Sequence, residues 1–163
     1  MALVPVRRPD GRAPALPAGR RNELVRTIVR EFCPRFTPGG VLVHVRGSNA
    51  AMRRLGAGYL ERHGVSFDRG RMPDVVVHRQ DRNWLVLIDA VTSHGAIDTG
   101  RINELQRFFK AAEVGLVFVT ACRTRRALAK CQERIAWGTV VWVAEAPSHL
   151  IHFDGGQLQG SYV

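Results

Sequence analysis

Apolar residues recur at three- and four-residue steps through residues 20–36, where Leu24, Ile28 and the pair Phe32/Cys33 form one stripe. That spacing predicts a helix, with Pro34 and the Thr37-Pro38-Gly39-Gly40 cluster ending it. Residues 41–45 are a short β run, and 50–62 a second helix weakened by Gly56 and Gly58. Two apolar runs, 73–78 and 84–91, flank the polar stretch Gln80-Asp81-Arg82-Asn83 and predict a β-hairpin. Residues 101–112 are amphipathic, with Ile102, Leu105, Phe108 and Phe109 on one side. Continuous apolar runs at 114–120 and 139–144 predict buried strands around a helix at 123–135, and 150–153 a last edge strand. Trp84, Trp137 and Trp142 lie in or beside strands and are expected in the core.

The predicted order is helix, strand, helix, hairpin, then helix–strand units. That is an α/β layered domain with a mixed central sheet flanked by helices, occupying 20–163. Residues 1–19 carry four prolines and three arginines and predict a poorly ordered basic arm.

Charge narrows the partners. The chain has 24 basic and 14 acidic side chains, net +10. Residues 1–71 hold 14 arginines against 5 acids, whereas 72–163 hold 10 basic against 9 acidic groups. A basic half joined to a near-neutral half points to a polyanion, most simply nucleic acid. No apolar run approaches the ~20 residues of a membrane helix. Three cysteines, Cys33, Cys122 and Cys131, suit reduced thiols of a cytoplasmic protein.

Asp74 and Asp89 carry the candidate chemistry. Each lies seven residues from its side of the Asp81–Arg82 centre, so a symmetric hairpin sets them face to face. Two carboxylates so placed repel unless a cation bridges them or one is protonated. Mg²⁺ commonly takes one or two carboxylates plus substrate phosphate. In the alternative, Asp74 pairs with a nearby arginine and Asp89 caps the 92–100 loop.

Pro73-Asp74 opening a strand, with a second acid near the end of the next, resembles the PD-(D/E)xK nuclease core. The longer strings MPDVVVHRQDRNWLVLIDAVTSHG (72–95), RINEL (101–105), GLVFVTAC (115–122) and IAWGTVVWVAEAPSHLIHFDG (135–155) are similar to the BsuBI/PstI type II restriction endonuclease family. LPAGRRNELVRTIVREFCPRFTPGG (16–40) resembles the start of that family's C-terminal catalytic domain. The resemblance implies a restriction-endonuclease-like core and Mg²⁺-dependent cleavage of double-stranded DNA at a short site, usually by a homodimer. A non-catalytic or decayed DNA-binding module of the same fold is the alternative.

The resemblance places metal ligation and catalysis on Asp74 and Asp89. Asp89 stands where the family usually has Glu, and Val91 matches the family's own Val at the position of the nuclease lysine. Three departures are visible: Arg46-Gly47-Ser48 where the family reads Gly-Asp-Thr, Arg71 where it has Lys, and no counterpart here of the further N-terminal region of family enzymes. Arg101 and Arg71 are the candidate phosphate clamps. His94, in the loop after the second acid, either touches phosphate and moves a proton or only orders the loop. Arg123, Arg125 and Arg126 crowd a helix start against its dipole, which fits either DNA phosphate or a local salt bridge. Glu23 is a weaker candidate ligand, against a plain solvated helix face. Neither of the two lysines, Lys110 and Lys130, is placed at the acid pair by its spacing.

Overall fold

A computed structural model describes residues 3–92 and 95–154. One six-stranded sheet organises them: β1 (Val41–Val45), β2 (Val75–Arg79), β3 (Trp84–Ala90), β4 (Gly115–Cys122), β5 (Thr139–Val143) and β6 (Leu150–Phe153), in that spatial order. The pairs β1–β2, β2–β3 and β5–β6 are antiparallel, whereas β3–β4 and β4–β5 are parallel. The sheet is therefore mixed, as the alternation of hairpin and helix–strand units predicts. The parallel joins fall where α4 (Thr99–Phe109) and α5 (Arg125–Cys131) cross over.

Both faces of the central strands are covered, which is why their sequences read as unbroken apolar runs. Val75, Val77, Val86 and Ile88 face the first helical segment, against Leu24, Ile28 and Phe32. Val76, Leu85 and Leu87 face the other way, against Leu60, Leu105 and Phe109 of α3 (Ala50–Arg62) and α4. A smaller cluster of Cys122, Leu128, Cys131 and Val141 sits under α5. All three cysteines are buried and free, and burial pushes the Cys33 and Cys122 thiols up to about 12.

Three expectations change. Pro34 does not end the first helix. α1 (Glu23–Thr27) widens into a π turn at Ile28–Phe32, and α2 (Cys33–Phe36) continues past the proline. Cys33 N–H bonds back five residues to Ile28, and the wider turn accommodates a proline with no N–H to give. The N-terminal segment, expected as a loose arm, lies on the domain instead. Arg7 bridges Val41 at the open edge of β1, Val6 is buried, and Arg26 holds the carbonyls of Pro17 and Gly19. Its proline-rich composition hid the apolar contact, because one buried valine makes no periodic signal. Of the tryptophans only Trp142 is core; Trp137 is 72% and Trp84 39% exposed. Trp84 lies under the guanidinium groups of Arg79 and Arg82, at 6.0 and 5.8 Å.

The two glycines of α3 are not equivalent. β1 carries a bulge between Leu42 and His44 where it pairs with β2. A Cβ at Gly56 would collide with the carbonyl oxygen of Val43 in that bulge, whereas nothing lies within 4 Å of one at Gly58. Gly56→Ala is therefore expected to cost about 2–3 kcal/mol. Gly58→Ala is expected to gain roughly 0.5–1 kcal/mol from helix propensity. Urea unfolding of the two single variants checks the opposite signs.

Candidate active site

The hairpin register is the symmetric one. Val75 pairs with Ile88, Val77 with Val86 and Arg79 with Trp84. The next step outward sets Asp74 across from Asp89. Each carboxylate reaches the other strand's backbone: Asp74 Oδ2 accepts from Ala90 N–H at 2.7 Å, and Asp89 Oδ1 accepts from Asp74 N–H at 3.3 Å. Asp74 is 5% exposed, so its carboxylate is fixed inside the fold rather than solvated at a strand end.

Arginines supply the positive charge. Arg46 Nε lies 2.5 Å from Asp74 Oδ1, and Arg46 N–H donates to the Asp74 carbonyl. Arg101 Nε donates to Asp89 Oδ2 at 2.8 Å, with a second nitrogen 3.4 Å from Oδ1. The remaining Arg101 nitrogen reaches Glu104 and the carbonyl of Arg71. Burial alone would lower the Arg101 pKa, but bonds and attraction from Asp89 and Glu104 raise it. Asp98 caps α4 by accepting from Arg101 N–H, which fixes the base of that side chain. Asp74 is thus paired with a nearby arginine, as the alternative reading expected, whereas Asp89 is held by Arg101 and the Asp74 N–H rather than by capping the 92–100 loop.

The other candidates distribute unevenly. Arg71 contributes its carbonyl to Arg101, and its guanidinium lies on the surface, 3.4 Å from Asp68. Arg123 pairs with Glu23 at 3.1 Å, which is the local salt bridge and also occupies the weaker candidate ligand. The Arg125 backbone N–H is taken by Glu145, and the Arg125 and Arg126 side chains are exposed. His94 lies outside the described residues.

Two residues near the site were missed from spacing. Arg46 was read only as the place of an absent acid. The β1–β2 bulge brings Val45 opposite Val75 and so sets Arg46 beside Asp74, and a bulge leaves no trace in a five-residue run. Lys130 lines a cavity of about 380 Å³ with Val91, Thr92 and Arg134, at the end of the strand that carries Asp89. The only available signal was its rarity as one of two lysines.

Among the described residues the two facing acids are the candidate ligands for a cation. No group of three or more His, Cys, Asp or Glu occurs among the described residues. By donor chemistry two carboxylates at facing strand positions would fit Mg²⁺, which keeps several waters and takes substrate oxygens, once their arginines are drawn away.

Comparison with known proteins identifies the family and the fold. The BsuBI/PstI restriction endonuclease domain matches residues 4–156. The chain is 41% identical over 160 residues to "Type II restriction enzyme BsuBI" of Bacillus subtilis, covering 98% of this chain and 51% of that protein. It is 30% identical over 149 residues to "Type II restriction enzyme AplI" of Arthrospira platensis, covering 85% and 45%. The solved SdaI restriction endonuclease superposes with a TM-score of 0.79 at 37% identity, over 99% of this chain and 51% of that one. The fold is thus restriction-endonuclease-like, and the chain spans about half the length of the relatives it matches.

Two solution measurements follow from the arrangement. A double-mutant cycle of Asp89→Asn and Arg101→Met, read by urea unfolding without divalent ions, is expected to give a coupling of about 1–3 kcal/mol. His44 is 6% exposed, and burial together with Arg46, Arg69 and Arg53 holds its pKa at about 4, against 6.5 when unfolded. The unfolded chain binds that proton more readily, so the contribution is complete above 6.5 and is lost as pH falls through about 4. The loss is on the order of 3 kcal/mol, and His44→Gln is expected to flatten the wild-type profile over that window.

Proposed function

Because the chain belongs to the BsuBI/PstI restriction endonuclease family, we propose that it hydrolyses phosphodiester bonds of double-stranded DNA at a short specific site, as a Mg²⁺-dependent homodimer of the cytoplasm. The observation that carries this reading is the mutual closure of Asp74 and Asp89, two acids held on one edge of a rigid hairpin beside arginines. No helix among the described residues is long and apolar enough to cross a membrane.

In this reading Asp74 and Asp89 hold the metal, which when bound would neutralise phosphate charge and lower the pKa of a bound water. The protein's own groups do the rest. Backbone N–H groups of Ala90 and Asp74 keep the carboxylates aimed before substrate arrives. Arg101, anchored by Asp89 and Glu104, clamps the scissile phosphate and exchanges a carboxylate partner for a phosphate one. His94 serves proton transfer or phosphate contact from the loop after β3. Arg71, Arg125 and Arg126, whose guanidinium groups lie on the surface, add phosphate contacts whose strength falls with salt.

Incubation of supercoiled plasmids of varied sequence with the protein and Mg²⁺ tests the proposal. Discrete, EDTA-sensitive fragments are expected. Asp74→Ala or Asp89→Ala is expected to lower the rate on the order of 10²-fold or more. Salt-dependent DNA binding with no cutting by wild type across many sites would leave a non-catalytic DNA-binding module instead.

A further inference from the structure

Beside Asp74 lies a cavity of about 450 Å³ whose charged lining is entirely arginine: Arg46, Arg53 and Arg69, with His44 and Gly47. Among the described residues neither Arg53 nor Arg69 has an acidic partner within 4 Å. Arg53 is not loose, because it donates to the Ser48 carbonyl at 2.6 Å. Ser48 itself is 4% exposed, and its Oγ has no hydrogen-bond partner among the described residues. Arg53 and Arg69 also line an adjoining cavity of about 370 Å³ together with Arg54. Burial, and after it Arg46, Arg69 and Arg53, lowers the pKa of His44 to about 4.

We propose that this cavity is a phosphate subsite, which holds a backbone phosphate of a nucleic-acid strand on Arg46, Arg53 and Arg69 beside the Asp74–Asp89 pair. It rests on the nuclease reading for the identity of the strand. Guanidinium forks suit the several oxygens of a phosphate, and Arg53 and Arg69, with no acidic partner among the described residues, carry charge that an anion would offset. The adjoining cavity continues the same arginines past the first site, which suits a polymer charged at every nucleotide better than one isolated ion. Arg46 belongs to both places. A phosphate in the cavity competes with Asp74 for its guanidinium and leaves that carboxylate more open to a cation.

The test is duplex binding by anisotropy in EDTA over a range of KCl concentrations, with wild type and Arg53→Gln/Arg69→Gln. Glutamine keeps a donor for the Ser48 carbonyl while removing the charge. The slope of log K against log[salt] is expected to shrink by about one unit, since each lost phosphate contact is worth roughly 0.9. An unchanged slope overturns the subsite. If the double variant does not fold, Arg69→Gln alone is read instead, because Arg69 is exposed and carries no hydrogen bond among the described residues; a smaller decrease in slope is then expected, and an unchanged slope again overturns the subsite. Inorganic phosphate alone, followed by calorimetry, separates the sources. Its binding to wild type and not to the variant, with the slope unchanged, assigns the cavity to a free ion and overturns the strand. A shrunken slope supports the strand whether or not the free ion binds. Plasmid cutting is scored separately: a smaller slope without cutting by wild type removes the nuclease reading and keeps the subsite, and cutting with an unchanged slope does the reverse.

Discussion

Two like charges on facing positions of one hairpin repel, and the geometry around Asp74 and Asp89 is arranged to bear that cost. Each carboxylate accepts a backbone N–H from across the hairpin, and each has a guanidinium within hydrogen-bond reach. Backbone donors fix direction, and arginines supply charge. The division matters because backbone groups cannot leave, whereas a guanidinium on a long side chain can. An acid pair held this way has its repulsion offset without a divalent ion, and in the proposed function a phosphate that draws the arginines away is what frees the pair to hold one.

The parts of this arrangement visible in the sequence are those set by short-range rules. Turn chemistry at Gln80–Asn83 fixed the centre of the hairpin, and a period of two along each strand fixed which residues face each other. The pairing of Asp74 with Asp89 was legible for that reason, as were the bounds of α3 and β6. The mixed sheet followed from the alternation of hairpin and crossover helices. The parts that were not legible depend on a bulge or on distance along the chain. Arg46 reaches Asp74 only through the irregular β1–β2 register. Arg123 meets Glu23 across 100 residues. The docking of residues 3–19 rests on backbone bonds to the edge of β1 and on Val6, which carry no periodic pattern.

Covering that edge has its own physical logic. β1 is an outer strand, and an open edge invites pairing with another chain. Arg7 takes up the first part of it through bonds with Gly40 and Leu42. The basic N-terminal segment is therefore tied to the same strand whose far end carries Arg46.

The distribution of lysine and arginine bears on mechanism most directly. Arginine is charged at every working pH and binds phosphate with two parallel bonds, but it is a poor proton donor or acceptor. The acid pair is surrounded by arginines, so its described neighbours can neutralise and orient a phosphate without moving protons. Val91 occupies the place where a strand lysine would do so, and Lys130 enters the adjoining cavity from α5 instead. A lysine carried on a helix can present its amine to the strand end without lying in the strand itself. Lys130 lines a cavity together with Val91 and Thr92, at the end of the strand that carries Asp89.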